Sequence, residues 1–387
     1  MNKDKISKAA SQLKPASVSV ITDAADTLIR EGKDVIVFSI GRPDFDTPAH
    51  AKEAAKTALD QGKVHYAPNR GIMPMREAVA SYLKAQHGLE YDPKTEIIVT
   101  AGAQHAITMT MHATLNPGDE VLVPSPGFLL YYSTPPLFGI EVKPYILAEP
   151  GYRWAGAPVG KNTKMIIVNS PNNPTGSVFS QKEMEDIAKF AIDNDLLVLS
   201  DEAYDRFIFG EAKHISPASL PGMKERTIVV GSLSKTFSMT GWRLGYVCAP
   251  PELVATLTKM MPNYMLNVCS FAQWGGVAAL SGPQDCVAAM HAEFDKRRKA
   301  LIAILEGAPK ISFTAPEGAF YLFLEHKETG LDSVTFCRRL LEEAHVACVP
   351  GGDFGPTGEW HTRISYAVSV EKCEEGARRI RKFLESL

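Results

Sequence analysis

The chain has 387 residues, 45% of them hydrophobic and 22% charged, with a formal net charge of −3. That length predicts two domains with an ordinary globular core, and the weakly acidic balance gives no electrostatic basis for binding nucleic acid or an anionic membrane. Six cysteines lie in the second half with no CxxC pair, which predicts free thiols in a reducing cytoplasm and no zinc site.

The leading segment MNKDKISKAASQLKPAS has lysines with no apolar run after them, so no secretory signal is expected. No stretch nears about 18 uninterrupted apolar residues, so no membrane span is expected either. TDAADTLIREG (22–32) predicts a helix. EIIVTAG (96–102) predicts a strand ending in glycine, and QHAITMTMHATL (104–115) a helix. EVLVPSP (120–126) and KMIIVNSP (164–171) predict two more strands. SQKEMEDIAKFAIDND (180–195) predicts a helix with Ser180 as N-cap and Glu183 as its capping-box partner. LLVLSDEAY (196–204), TIVVGS (227–232) and LGYVCAP (244–250) complete six short apolar strands. Residues 285–307 predict a long helix. Beyond it, AFYLFLEH (319–326) and TRISYAVS (362–369) read as strands, and 333–345 and 370–387 as helices.

Wholly apolar strands alternating with helices imply an α/β fold with a mostly parallel sheet covered on both faces. Ligands of such sheets sit beyond the carboxyl ends of the strands, so the residues following each run are the candidates. After 96–100 come Gly102, Ala103 and Gln104 opening a helix, which suits an anion but equally a tight turn. After 164–168 comes NSPNNPTG (169–176), either plain turn chemistry or a rigid amide aimed at a ligand oxygen.

After 196–200 comes Asp201, then Glu202, Ala203 and Tyr204. A carboxylate at that depth serves as a metal ligand, a general base or the partner of a protonated heterocycle. The other strand ends carry no second ligand, so a metal is disfavoured. After 227–231 come Ser232, Ser234 and Lys235, with Arg243 eight residues on. The serines and the arginine suit a phosphate. Lys235 fits a second phosphate contact or a Schiff-base nucleophile, and the absent GxxxxGK[ST] pattern disfavours a nucleoside triphosphate. One ligand has a phosphate, an aldehyde, a ring nitrogen and a phenolic oxygen for these groups: pyridoxal 5′-phosphate (PLP).

SPNNPTG, SDEAY and SLSKTFSMTGWRLGY, in that order, resemble the class I aminotransferases of PLP fold-type I, in their bacterial aspartate aminotransferase-like branch. GRPDFDTP (41–48), HYAPNRGIMPMREAVASYL (65–83) and RISYA (363–367) extend the resemblance over nearly the whole chain. It implies a large PLP-binding domain at 41–284, a small α+β domain at 285–387, and an N-terminal segment at 1–40 packing with the small domain. It implies that Lys235 would hold PLP and shuttle the proton, and that Asp201 would pair with the ring nitrogen. Asn173 and Tyr204 would bond the phenolic oxygen. Gly102, Ala103, Gln104, Ser232, Ser234 and Arg243 would hold the phosphate, and Phe128 would stack on the ring. Tyr66 would reach the partner's phosphate, implying a homodimer with a shared site. Arg363, with Gly41 and Asn173 near it, would clamp the substrate carboxylate.

The implied activity is ping-pong transamination between an L-amino acid and a 2-oxo acid, with 2-oxoglutarate expected as acceptor. Aromatic or broad donors are the alternative, with Arg42 and Arg70 as the candidates to read a side-chain carboxylate. A PLP-dependent β-lyase is a weaker alternative, because DEAY stands where known lyases resemble DEIH. A DNA-binding regulator is weaker still, because only 40 residues precede GRPDF. Gly127 stands where many relatives carry tyrosine, which predicts more room beside Phe128. His105, His112, Trp242 and Trp274 read as packing residues.

Overall fold

The computed structural model describes residues 5–11, 13 and 17–387; the lysine-bearing leading segment read from the sequence lies partly outside them. A helix spans Ser17–Arg30. Its first backbone N–H groups, at Ser17 and Val18, donate to the Asp353 carboxylate at 3.1 and 2.9 Å. A carboxylate at a helix N-terminus satisfies orphan donors and opposes the helix dipole. Strand β1 (Ile36–Val37) follows.

The main sheet has eight strands: β2 (Ile97–Thr100), β3 (Glu120–Ser125), β4 (Glu141–Ala148), β5 (Arg153–Trp154), β6 (Thr163–Asn169), β7 (Leu197–Asp201), β8 (Thr227–Ser232) and β9 (Gly245–Cys248), in the spatial order β2-β9-β8-β7-β6-β3-β4-β5. The strands β8, β7, β6, β3 and β4 run parallel to one another. β9 is antiparallel to both its neighbours, and β5 is antiparallel to β4. Helices Gly102–Thr114 and Pro251–Tyr264 bury Ile107, Val254 and Leu257 against Val121, Ile167 and Val230 on one face. Helix Gln181–Asp193 buries Met184 and Ile187 against Ile166, Val168 and Val198 on the other. Its predicted cap is present: Ser180 Oγ accepts from the Glu183 N–H, and the Glu183 carboxylate accepts from the Ser180 N–H at 2.9 Å.

The second sheet holds β10 (Ser312–Phe313), β11 (Tyr321–Glu325), β13 (Val349–Pro350) and β14 (His361–Ser365), while the intervening β12 (Val346–Ala347) pairs in parallel with β1. Helices Asp285–Leu305, Ser333–Ala344 and Val370–Ser386 pack around these strands. Among the described residues no helix is long and apolar enough to cross a membrane.

Two of the elements that escape a pattern reading show why. β4 is an outer strand whose EVKPYILA mixes lysine and proline with apolar residues and is partly exposed. Helix Ser270–Ser281 is apolar nearly all round and holds Gly275 and Gly276, so it shows no amphipathic face. Those glycines permit close packing: a Cβ at Gly275 would lie 2.5 Å from the Trp242 ring and 3.0 Å from the Ala51 carbonyl oxygen.

The register decides where the site forms. Asn169 of β6 lies opposite Asp201 of β7, and Asp201 opposite Val230 of β8. The carboxyl ends of three parallel strands therefore open side by side, as the rule for open α/β sheets requires.

Candidate active site

A cavity of about 330 Å³ lies over those strand ends. The sheet contributes Asn169, Asp201 and Ser232 to its lining. The turns that follow contribute Asn173, Tyr204, Ser234 and Lys235. Ala103, Gln104 and Phe128 line one side and Arg243 the mouth. Gly41 comes from the N-terminal segment, and Tyr321 and Arg363 from the second sheet. Residues more than 300 positions apart thus share one small volume.

Lys235 sits in the short helix Leu233–Thr236, whose N-cap Ser232 accepts from the Ser234 N–H at 3.1 Å. Its ammonium donates to the Gly41 carbonyl at 2.6 Å. Burial first, then the positive charges of Arg363 and Arg243, push its pKa down to about 8, with Asp201 opposing. A lysine so depressed is neutral for roughly a tenth of the time at pH 7, against well under a thousandth for a free one. Chemically, it is a nucleophile and a base.

Asp201 is 5% exposed. Its Oδ2 accepts from Tyr131 OH at 2.6 Å and its Oδ1 from the Ala203 N–H at 3.2 Å. No cationic side chain forms an ion pair with it among the described residues. Burial consequently raises its pKa, the Tyr131 and Ala203 hydrogen bonds restraining the rise. A carboxylate in this state binds a cationic N–H strongly.

Arg363 is 6% exposed and bonds Asn173 Oδ1 at 3.1 Å and the Ser39 carbonyl at 2.9 Å. Its guanidinium lies 4.5 Å over the Tyr321 ring, and its Nε makes no hydrogen bond among the described residues. Tyr204 shares a 2.7 Å hydrogen bond with Tyr321, hydroxyl to hydroxyl. Burial raises the Tyr204 phenol well above its ordinary pKa, so it stays a donor. Asn169 Nδ2 donates to the Asp201 carbonyl, and its Oδ1 accepts from the Asn173 N–H at 2.9 Å, which fixes the SPNNPTG turn.

Arg243 adopts a left-handed backbone, φ 55° and ψ 57°. For a non-glycine residue that costs on the order of 1 kcal/mol, which places strain at the mouth. Its guanidinium donates to the Thr240 and Ala101 carbonyls at 3.0 and 3.1 Å, beside the N-terminus of helix Gly102–Thr114. Gly102 is buried with φ +80°, and a Cβ there would lie 2.7 Å from Arg243 Nη2. Gly245 of β9 leaves room for that turn, since its Cβ would meet Gly102 and Ala103 backbone at 2.7 and 2.9 Å.

Other expected residues fall elsewhere. Tyr66 is 85% exposed and does not line the cavity of its own chain. Arg70 is held by Thr258 Oγ1 and the Lys94 carbonyl, and Arg42 borders a separate outer cleft. Gly127 does not open the pocket: its Cβ would lie 2.2 Å from the Pro124 carbonyl oxygen, so glycine answers close backbone packing there. Trp242 packs against Gly275 and donates to Thr47 Oγ1 at 3.1 Å. Two aromatic residues of the cavity were not foreseen. Tyr131, in the short helix Leu130–Ser133, and Tyr321, within the apolar β11 run, carry no distinguishing spacing. Only the Phe128-to-Tyr131 interval of three, one helical turn, hints that both rings face one way.

The match to the model of the family "aminotransferase class I and II" covers residues 33–380. The chain is 46% identical over 363 residues to an aspartate aminotransferase of Pyrococcus abyssi, covering 91% of this chain and 92% of that one. It is 41% identical to an aromatic-amino-acid aminotransferase of Thermococcus litoralis, with 96% of each covered. The crystal structure of an aspartate aminotransferase from Thermus thermophilus with maleate superposes with a TM-score of 0.92 at 34% identity, covering 99% of this chain and all of that one. The chain belongs to the class I and II aminotransferases, and its chemistry is PLP-dependent transamination.

Proposed function

We propose that the cavity over β6, β7 and β8 is the PLP site, and that each lining residue has a distinct part in transamination. The observation that carries this reading is the meeting of Lys235, Asp201 and Arg363 in one cavity. The residues fit the cofactor on their own terms. Among the described residues Gln104 Oε1 and Arg363 Nε are buried without partners and Asp201 has no cation paired with it, and the glycines at 102 and 245 let the Gly102–Ala103 backbone pack close beside Arg243. Lys235 and Asp201 would hold the aldehyde carbon and the ring nitrogen. Ser232, Ser234, Arg243 and the Gly102–Gln104 backbone would hold the phosphate, with Tyr204 and Asn173 at the phenolic oxygen and Phe128 against the ring.

Bound PLP supplies an electron sink for the bond broken at the amino acid's Cα. Lys235 would supply the base: its neutral amine can take the Cα proton and, once protonated, return it. Arg363 fixes the α-carboxylate with a planar fork of donors, which orients the Cα–H bond. Tyr131 fixes Asp201. Removing its hydroxyl takes away the hydrogen bond to a buried charged acceptor, worth about 1.5–3 kcal/mol. Tyr131→Phe is therefore expected to lower kcat about tenfold while the protein stays loaded, as steady-state rates and bound-cofactor absorbance together report. An unchanged kcat rejects the assignment.

L-Aspartate is proposed as donor and 2-oxoglutarate as acceptor, in keeping with the Pyrococcus relative. One observation favours an aromatic donor instead: neither Arg42 nor Arg70 lines the cavity of its own chain, whereas Phe128 and Tyr321 do. A donor panel against 2-oxoglutarate decides between them. A kcat/KM at least tenfold higher for aspartate than for phenylalanine and tyrosine supports the first, and the reverse supports the second. Pyruvate and ammonia released without an oxo acid would mark a β-lyase.

The exposed Tyr66 supports a homodimer in which it reaches the partner's phosphate. Tyr66→Phe is then expected to weaken PLP binding without loss of the dimer, measured by dialysis and light scattering. The unit boundaries at residues 40 and 284 are kept as proposed, supported by the Asp353 cap and the β1–β12 pairing that join the N-terminal segment to the C-terminal unit. The cytoplasmic placement rests on six cysteines, none of them paired.

A further inference from the structure

Behind the cavity, on the other side of the β7 strand end, lies a buried group of charges that transamination itself does not use. Glu202 follows Asp201 and points away from the cavity, 4% exposed. Its Oε2 lies 3.0 Å from His214 Nε2, and its Oε1 accepts from Ser216 Oγ at 2.6 Å and Ser200 Oγ at 2.8 Å. Three residues on, Asp205 accepts from His87 Nε2 at 2.8 Å and, more loosely, from Tyr82 OH and from Thr236, the residue after Lys235. The two imidazole rings meet edge to face, 4.9 Å between centroids. Helix Met73–His87, the turn after β7, the 214–216 loop and the lysine-bearing helix are thus tied together through the carboxylates of Glu202 and Asp205.

Two buried carboxylates cannot both stay ionised without a cation. The other groups facing them are the Arg206 guanidinium, the phenols of Tyr82, Tyr91 and Tyr246, and the Cys248 thiol. Burial holds those phenols and the thiol neutral. Glu96, on the far side of Cys248, is paired with Lys224 at 3.0 Å.

We propose that the Glu202–His214 ion pair is a positioning element for Asp201: the imidazolium cancels the charge of Glu202 directly behind the cavity, so that Asp201 and Lys235 respond to the cofactor and not to a second buried anion. This rests on the reading that Asp201 and Lys235 hold PLP. The protonation states agree with it. Burial alone would lower the His214 pKa, but the Glu202 carboxylate, together with Asp205 and a backbone hydrogen bond at Ser170, raises it. The same pairing, against burial, keeps the Glu202 pKa low. Glu202 is in turn one of the charges that raise the Asp201 pKa.

The test is the pH midpoint of the visible absorbance band of the holoenzyme. In His214→Gln, Glu202 loses its counter-charge, and the added negative field favours the protonated linkage at Lys235. The midpoint should rise by roughly half a pH unit to one unit. In Glu202→Gln/His214→Gln the field is neutral again, and the midpoint should return to within about 0.2 unit of wild type. A midpoint unmoved in the single variant, or not recovered in the double, overturns the proposal, because lost packing alone would not reverse. Wild type lacking a titrating band would instead overturn the Lys235 assignment. Should the single variant fail to fold, imidazole ¹⁵N signals of the wild-type holoenzyme decide. His214, assigned by its absence from the double variant, is expected to be doubly protonated at about pH 7. A neutral ring there overturns the proposal.

Discussion

Lys235→Ala is expected to abolish turnover and to remove the cofactor's visible absorbance band, with PLP still captured weakly through its phosphate. The effect is large because no neighbour replaces the amine. The other cations that line the cavity are Arg243 and Arg363, and a guanidinium does not give up its proton in a protein. The same two charges help push the Lys235 pKa down to about 8, after burial, which makes the amine usable near neutrality. The loss should reach several orders of magnitude, since a positioned acid–base group alone is worth roughly 10²–10⁴ and the covalent anchor disappears with it. A variant that keeps both the band and the rate would show that the chemistry lies elsewhere. A variant that loses the rate but keeps the band would leave Lys235 as a base and transfer the linkage to another amine.

The strand ends were legible in the sequence because burial on both faces of a parallel sheet forces an unbroken apolar run. Asp201, Ser232 and Lys235 interrupt such runs, and an interruption at that depth has few physical explanations. The six apolar runs correspond to β2, β3, β6, β7, β8 and β9. Their direction did not follow from pattern: β9 is as apolar as its parallel neighbours and runs the opposite way. Long-range partnerships were equally hidden. Arg70 is spent on Thr258, 188 residues away, and no local spacing announces that. Tyr131 is decisive for Asp201 yet reads as one aromatic among several in GFLLYYS. Gly127 is the instructive reversal. A missing side chain reads as added space in sequence, whereas in the fold that space belongs to the Pro124 backbone.

Asp201→Asn carries the second large effect. The substitution keeps the shape of the side chain and an oxygen for Tyr131, so the fold and the phosphate contacts of PLP should survive. It removes the negative charge. A carboxylate about 4 Å from a cationic ring nitrogen, in surroundings of intermediate dielectric, contributes about 4 kcal/mol. Asp201 would supply that charge to a bound PLP ring, so its loss would act on the transition state and is expected to reduce kcat about a thousandfold. Burial already raises the Asp201 pKa in the protein alone, with Tyr131 and Ala203 restraining the rise. The carboxylate thus stands in a site that disfavours its charge until a cation arrives, which is why the ring nitrogen and Asp201 should stabilise each other's ionised forms when they meet. Equilibrium absorbance should report full cofactor occupancy in Asp201→Asn, and stopped-flow half-reactions with amino acid should show the slow step. Near-wild-type half-reaction rates in a fully loaded variant would remove Asp201 from the chemistry and leave its burial, and its hydrogen bond to Tyr131, as purely structural features.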